Sequence, residues 1–174
     1  MKIVFLDIDG VLNHARTKER LQSYIGIDEG NLRNFVEFIK RARAEEETEV
    51  VLTSSWREDV NWDAVENGYK YVYNRLYSAG ITLYDITLVT DRKLGNPNRG
   101  EEITRWFMEH QDLDISGYVV LDDEHIFEFK EYGLTKRLIR TSWDSAKGEF
   151  QEKTYRKGFG YVTKTVLYAL QRRG

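Results

Sequence analysis

Three short apolar, β-rich runs in this 174-residue chain each stop at side chains that carry oxygen. Residues 2–6 run into Asp7, residues 49–52 into Thr53-Ser54-Ser55, and residues 118–121 into Asp122-Asp123. Between the runs, apolar residues recur at helical spacing. After Asp28, a candidate N-cap, come Leu32, Phe35, Val36 and Ile39; Trp62, Val65, Tyr69, Val72 and Leu76 mark a second helix. Residues 100–110 read as a third, with Ile103, Trp106 and Phe107 inward. Residues 86–89 and 138–139 are further candidate strands, and 161–170 a closing helix. Strand and helix in alternation require crossover connections, hence an α/β three-layer sandwich around a central parallel sheet. Ligands of such sheets bind outside the carboxyl ends of the strands, so the polar residues after the three runs are expected to meet in one crevice.

The chemistry of those residues is narrow. In Asp7-Ile8-Asp9-Gly10 the two acids stand two apart, and on extended backbone such residues point the same way. Gly10 then permits a sharp turn or close backbone approach. Asp122 and Asp123 bring two more carboxylates, and four acids in one crevice force some to be neutral unless a cation intervenes. The donors are all oxygen and no histidine pair has ligand spacing, which points to Mg²⁺ rather than Zn²⁺. Thr53, Ser54 and Ser55 offer hydroxyl and backbone donors to an anion, with Arg57 close behind. Arg99-Gly100-Glu101 sets a cation at an expected helix N-terminus, where anions are favoured.

Composition narrows the class further. The chain has no cysteine, which excludes a disulfide scaffold, a zinc-thiolate site and a thiol nucleophile together. No apolar run reaches the roughly 20 residues of a membrane span, and the first residues lack a signal-peptide core. A cytoplasmic protein with one domain over residues 1–174, without membrane contact and monomeric by default, is the expectation.

The order of aspartate pair, hydroxyl, cation and second aspartate pair resembles the haloacid dehalogenase-like (HAD) superfamily of phosphohydrolases. Residues 6–13 (LDIDGVLN) resemble its first motif, residues 50–54 (VVLTS) its second, and residues 119–123 (VVLDD) its fourth in double-aspartate form. More narrowly, residues 52–57 (LTSSWR) and 99–103 (RGEEI) resemble the HAD phosphatase domain of Swiss Army Knife RNA-repair proteins. The resemblance implies a Rossmann-like fold and an aspartyl-phosphate mechanism, with Asp7 as nucleophile and Asp9 as acid and base. It implies Mg²⁺ held by Asp7, the Asp9 main chain and Asp122 or Asp123. Gly10, Thr53 or Ser54, Arg57, and either Arg99 or Lys93 as the third-motif cation, would bind the phosphate. That motif usually supplies lysine; arginine keeps the charge and can grip phosphate in a bidentate way.

Only residues 13–26 separate the first motif from its helix, and residues 56–92 hardly hold a full cap, so a nearly capless HAD fold is expected. An open site suits the end of a large substrate: by resemblance a 3′-phosphate end of DNA or RNA. A phosphatase of free nucleotides or other small phosphomonoesters, and a non-catalytic nucleic-acid-binding module, are the alternatives. The aromatic stretch 62–84 is a candidate roof over the cleft, and His14 a candidate substrate contact, whereas His110 and His125 read as surface or helix-end positions. Residues 130–174 carry 11 Lys/Arg against 4 Asp/Glu, a net +7, while residues 1–129 carry 15 against 25, a net −10. Lys153, Arg156 and Lys157 alternate with Tyr155, Phe159 and Tyr161, a mixture suited to phosphate contact and base stacking. No Walker A pattern is present, so a separate kinase or ligase is the expected partner.

Overall fold

The structure is a computed structural model that describes residues 1–22, 24–58, 67–88 and 98–144. Five strands, β1 (Lys2–Leu6), β2 (Thr48–Leu52), β3 (Leu83–Ile86), β4 (Gly117–Asp122) and β5 (Leu138–Arg140), form one sheet in the order β3-β2-β1-β4-β5. Every pairing is parallel. The connections run through α1 (Glu29–Glu45), α2 (Gly68–Ser78), α3 (Arg99–Glu109) and α4 (Ile126–Glu131). This is the expected α/β Rossmann-like sandwich.

The strands read as apolar runs because both faces of the sheet are covered, and successive residues point to opposite faces. Val4, Leu6, Val50, Leu52, Val119 and Leu121 pack with Phe35 and Ile39 of α1 and Val72 and Leu76 of α2. Ile3, Phe5, Val51, Tyr118 and Val120 pack with Ile103, Trp106 and Phe107 of α3 and Phe129 of α4. Phe5 is central to the second layer, edge-on to Trp106, Phe107 and Tyr118 at 5.2–6.4 Å. Three helices start where an Asx side chain satisfies first-turn N–H groups. Asp28 accepts from Gly30 and Asn31, Asn67 from Lys70, and Asn98 from Glu101.

Two expected boundaries move. The third strand, expected at 86–89, is Leu83–Ile86. It is an edge strand, where Tyr84 is exposed and Asp85 accepts from Trp106 Nε1, so its pattern is not an unbroken apolar run. The second helix begins at Gly68, capped by Asn67; Trp62, Val65 and the expected helix 161–170 lie outside the described residues. Among the described residues no helix is long and apolar enough to cross a membrane.

Phe5→Ala should destabilise the fold by about 3–5 kcal/mol in urea unfolding, because a fully buried ring with three aromatic neighbours leaves a cavity. Phe5→Leu should cost less than half of that.

Candidate active site

Register brings the three strand ends together. Leu6 stands opposite both Leu52 and Leu121, and the ladder continues one residue past each strand. Asp7 N–H donates to Leu121 O at 3.0 Å, and Thr53 N–H to Leu6 O at 2.9 Å. Asp7, Thr53 and Asp122 therefore emerge side by side from β1, β2 and β4. One carboxylate oxygen from each of Asp7, Asp122 and Asp123 lies within 4.8 Å of the other two. Asp122 Oδ1 accepts from the N–H groups of Glu124 at 2.9 Å and His125 at 3.3 Å. Its Oδ2 is buried with no partner among the described residues. Burial and then the nearby Asp7 charge push Asp122 well above the carboxylate range, and the same causes raise Asp123 to about 6. Gly10 is required on two counts: its φ is +70°, and a Cβ there would stand 2.1 Å from Asp123 Oδ2.

Asp9 is held differently. Its two oxygens accept from Asn13 Nδ2 and Trp56 Nε1, each at 2.9 Å. Asn13 is itself fixed, accepting from Gly10 N–H at 3.1 Å and donating to Ile25 O at 2.8 Å. Burial raises the Asp9 pKa, and the two hydrogen bonds only partly offset it. A carboxyl aimed by two donors and inclined to keep its proton suits a general acid. Asp7 and Asp9, equivalent in sequence, thus have separate environments.

Beneath the β2 end lies a cluster of the opposite sign. Arg57 is buried and faces inward: Nε donates to Thr87 O, one terminal nitrogen to Thr53 O and Ser54 O, and the other to Glu102 at 2.6 Å. The expected phosphate contact by Arg57 is therefore corrected: its guanidinium shapes the loop that would bind phosphate. Arg99 shares the same Glu102 oxygen at 3.1 Å, lines the cleft, and has a buried Nε without a partner among the described residues. The hydroxyls of Thr53 and Ser54 are likewise buried and unpartnered. Lys93 lies outside the described residues, so of the two candidate cations the structure describes Arg99.

The described residues leave a cleft of about 1070 Å³ over the acids, lined by Asp7, Asp9, Asp123 and Arg99 on its floor and by Tyr24, His125, Arg140 and Trp143 among its walls. None of the described residues in 67–84 lines it; the aromatic rings are Tyr24 and Trp143 instead. His14 is buried and accepts from Arg16 N–H, while its other ring nitrogen is 3.6 Å from Asp28. His125, read as a surface or helix-end position, stands at the N-terminal end of α4 and borders the cleft beside Glu128. The basic stretch 145–174 lies outside the described residues.

Residues 3–148 match the family model described as the HAD domain in Swiss Army Knife RNA repair proteins. The chain belongs to this family. It is a HAD-superfamily phosphohydrolase. A solved structure, D,D-heptose 1.7-bisphosphate phosphatase from B. bronchiseptica complexed with magnesium and phosphate, shares the fold. The TM-score is 0.50 at 15% identity, covering 99% of this chain and 98% of that one. No curated protein matches the chain.

HAD phosphatases use Mg²⁺, and this donor set fits it. Three clustered carboxylates supply hard oxygen ligands, and the unpartnered Asp122 Oδ2 is one that a cation would satisfy. The Asp9 side chain is not part of this carboxylate cluster. Sequence reasoning missed Asn13, the Trp56 indole and Glu102. Asn13 stands in the first-motif segment and Trp56 directly after the serines, but neither has a partner until the chain folds.

Asp122 and Asp123 hold protons in the folded protein that the unfolded chain releases near pH 4. Their contribution to metal-free stability is present at low pH and is lost as pH rises through about 6–7. Mg²⁺ should therefore raise the Tm of chelator-treated protein more at pH 8 than at pH 5.5; equal increments would remove these acids as ligands. Glu102→Gln should cost about 3–5 kcal/mol in urea unfolding, because it leaves two buried guanidiniums without their carboxylate.

Proposed function

We propose that the protein is a Mg²⁺-dependent phosphomonoesterase that removes terminal phosphates from nucleic-acid ends, 3′ ends first among them, through a phosphorylated Asp7. The observation that carries the reading is the registered convergence of Asp7, Asp9, Thr53 and Asp122, with the two acids of the first motif in unlike environments. A module that only bound nucleic acid would need no such division.

An oxygen of Asp7 attacks phosphorus while the bond from phosphorus to the leaving oxygen breaks, and the Asp9 proton goes to that oxygen. In the second half Asp9, now ionised, takes a proton from water as the water oxygen attacks the same phosphorus. Inorganic phosphate leaves and Asp7 is restored. Thr53 and Ser54 hydroxyls and Arg99 hold the phosphoryl oxygens, with Lys93 as the alternative cation. Asp7, Asp122 and Asp123, with the Asp9 main chain, would hold Mg²⁺, which supplies Lewis-acid polarisation and neutralises charge on the phosphoryl group.

The nucleic-acid end is supported by membership of a family described from RNA repair proteins and by the +7 net charge of residues 130–174. A basic stretch attracts a polyanion, and salt weakens that attraction. The open cleft, with little chain inserted after either early motif, admits a polymer end. A separate kinase or ligase would use the end so produced.

Asp7→Asn should abolish turnover with the fold intact by circular dichroism, and Asp9→Asn should lower it by about 10²–10⁴-fold. On a panel of 3′-phosphorylated oligonucleotides, 5′-phosphorylated oligonucleotides and mononucleotides, the first should show the highest kcat/KM and the steepest loss with salt. Clear preference for mononucleotides would place the enzyme among small-phosphomonoester phosphatases instead.

A further inference from the structure

The cleft left by the described residues is much larger than a phosphoryl group requires: at about 1070 Å³ it slightly exceeds the roughly 300–1,000 Å³ of pockets that enclose whole small molecules. The acids and Arg99 account for its floor. Its outer part is built from Tyr24, Ile25, Trp143 and Arg140, with Glu124 and Asp144 beside them. Those two carboxylates oppose a second phosphate there. An uncharged, flat group meets no such repulsion and finds aromatic faces.

The Tyr24 ring and the main chain of Trp143 are tied to the segments that carry the acids. Tyr24 packs against Trp56 with ring centroids 4.4 Å apart and planes tilted by 38°, and Trp56 Nε1 donates to Asp9. Gly68 makes room for this pair, since a Cβ there would come within 3.3 Å of both rings. Trp143 is 37% exposed and follows β5, and its carbonyl accepts from Ala15 N–H at 3.2 Å, in the segment after the first motif. Two residues before it, Thr141 N–H donates to Asp122 O at 3.1 Å. Arg140 Nε donates to Asp123 O at 3.2 Å, holding a planar guanidinium between floor and wall. A ring packed before the ligand arrives, as Tyr24 is, loses little freedom when the ligand binds.

We infer that this outer part is a nucleobase subsite, with Trp143 its stacking platform, so that the enzyme recognises the base attached to the phosphate it removes. Base–aromatic stacking is tolerant of sequence, because every base offers a π-face. The subsite thus fits a nucleotide end of any sequence and selects against phosphorylated sugars. The inference rests on the phosphatase reading for its orientation, phosphate inward and base outward.

Calorimetry separates the two readings. In Mg²⁺, the turnover-deficient Asp9→Asn protein is titrated with adenosine 3′-monophosphate and with ribose 5-phosphate, a base-less phosphomonoester, with and without Trp143→Ala or Trp143→Phe. The nucleotide should bind tighter than the sugar phosphate by about 5- to 100-fold. Trp143→Ala should erase most of that ratio, and Trp143→Phe should keep most of it. Equal affinity for the two ligands, or a ratio unchanged by Trp143→Ala, would overturn the subsite. A ratio that behaves as expected, in a protein whose wild type hydrolyses neither ligand, would sustain the subsite and sink the phosphatase reading.

Discussion

Three carboxylates within 4.8 Å, at the ends of two hydrogen-bonded parallel strands, are the constraint from which the rest of the site follows. Parallel pairing with Leu6 opposite Leu121 leaves Asp7 and Asp122 no means of moving apart. The resulting repulsion is relieved by protons or by a cation. Burial sharpens the choice, since a low-dielectric crevice penalises each uncompensated charge more than water does. The surrounding backbone is organised to keep the acids there. N–H groups of residues 124 and 125 fix one oxygen of Asp122, and the missing side chain of Gly10 makes space for Asp123. A divalent ion converts this unfavourable cluster into a phosphate receptor.

The counterpart is the Arg57–Glu102–Arg99 group. One buried carboxylate oxygen joins the guanidinium that shapes the β2 exit to the guanidinium that lines the cleft. Two cations against one carboxylate leave an excess positive charge at the cleft, the counterpart of the excess negative charge of the aspartates. A phosphoryl group with Mg²⁺ would fit between them. The pairing also connects α3 to the β2 loop, so that Arg99 and the Thr53–Ser54 hydroxyls keep a fixed spacing.

Much of this was legible in the amino-acid order. Apolar runs ending at Leu6, Leu52 and Leu121 are what a doubly covered parallel strand looks like, and the Asx cap at Asp28 marks the first helix start by local chemistry, whereas the caps at Asn67 and Asn98 became visible only in the fold. Edge strand β3 was not legible in the same way, because one side of it meets solvent and its sequence carries Tyr84 and Asp85. Arg57 was misassigned for a different reason. A cation three residues after a serine expected to bind phosphate looks like a ligand until Glu102, 45 residues away, is found against it. The inward capture of Asp9 by Asn13 and Trp56 likewise depends on contacts that no local pattern records.

By itself the sequence determined the strand–helix alternation, the residues at each strand end and the oxygen-only donor set, because hydrophobic period and side-chain chemistry are local properties. It also determined the charge asymmetry along the chain. The tertiary structure alone decided which carboxylate is held as an acid and which belong to the cation cluster. It alone decided that Arg57 faces inward while Arg99 faces the cleft, and that Tyr24 and Trp143 form the aromatic wall. Those outcomes depend on register and on burial between segments far apart in sequence, and both exist only after the sheet has assembled.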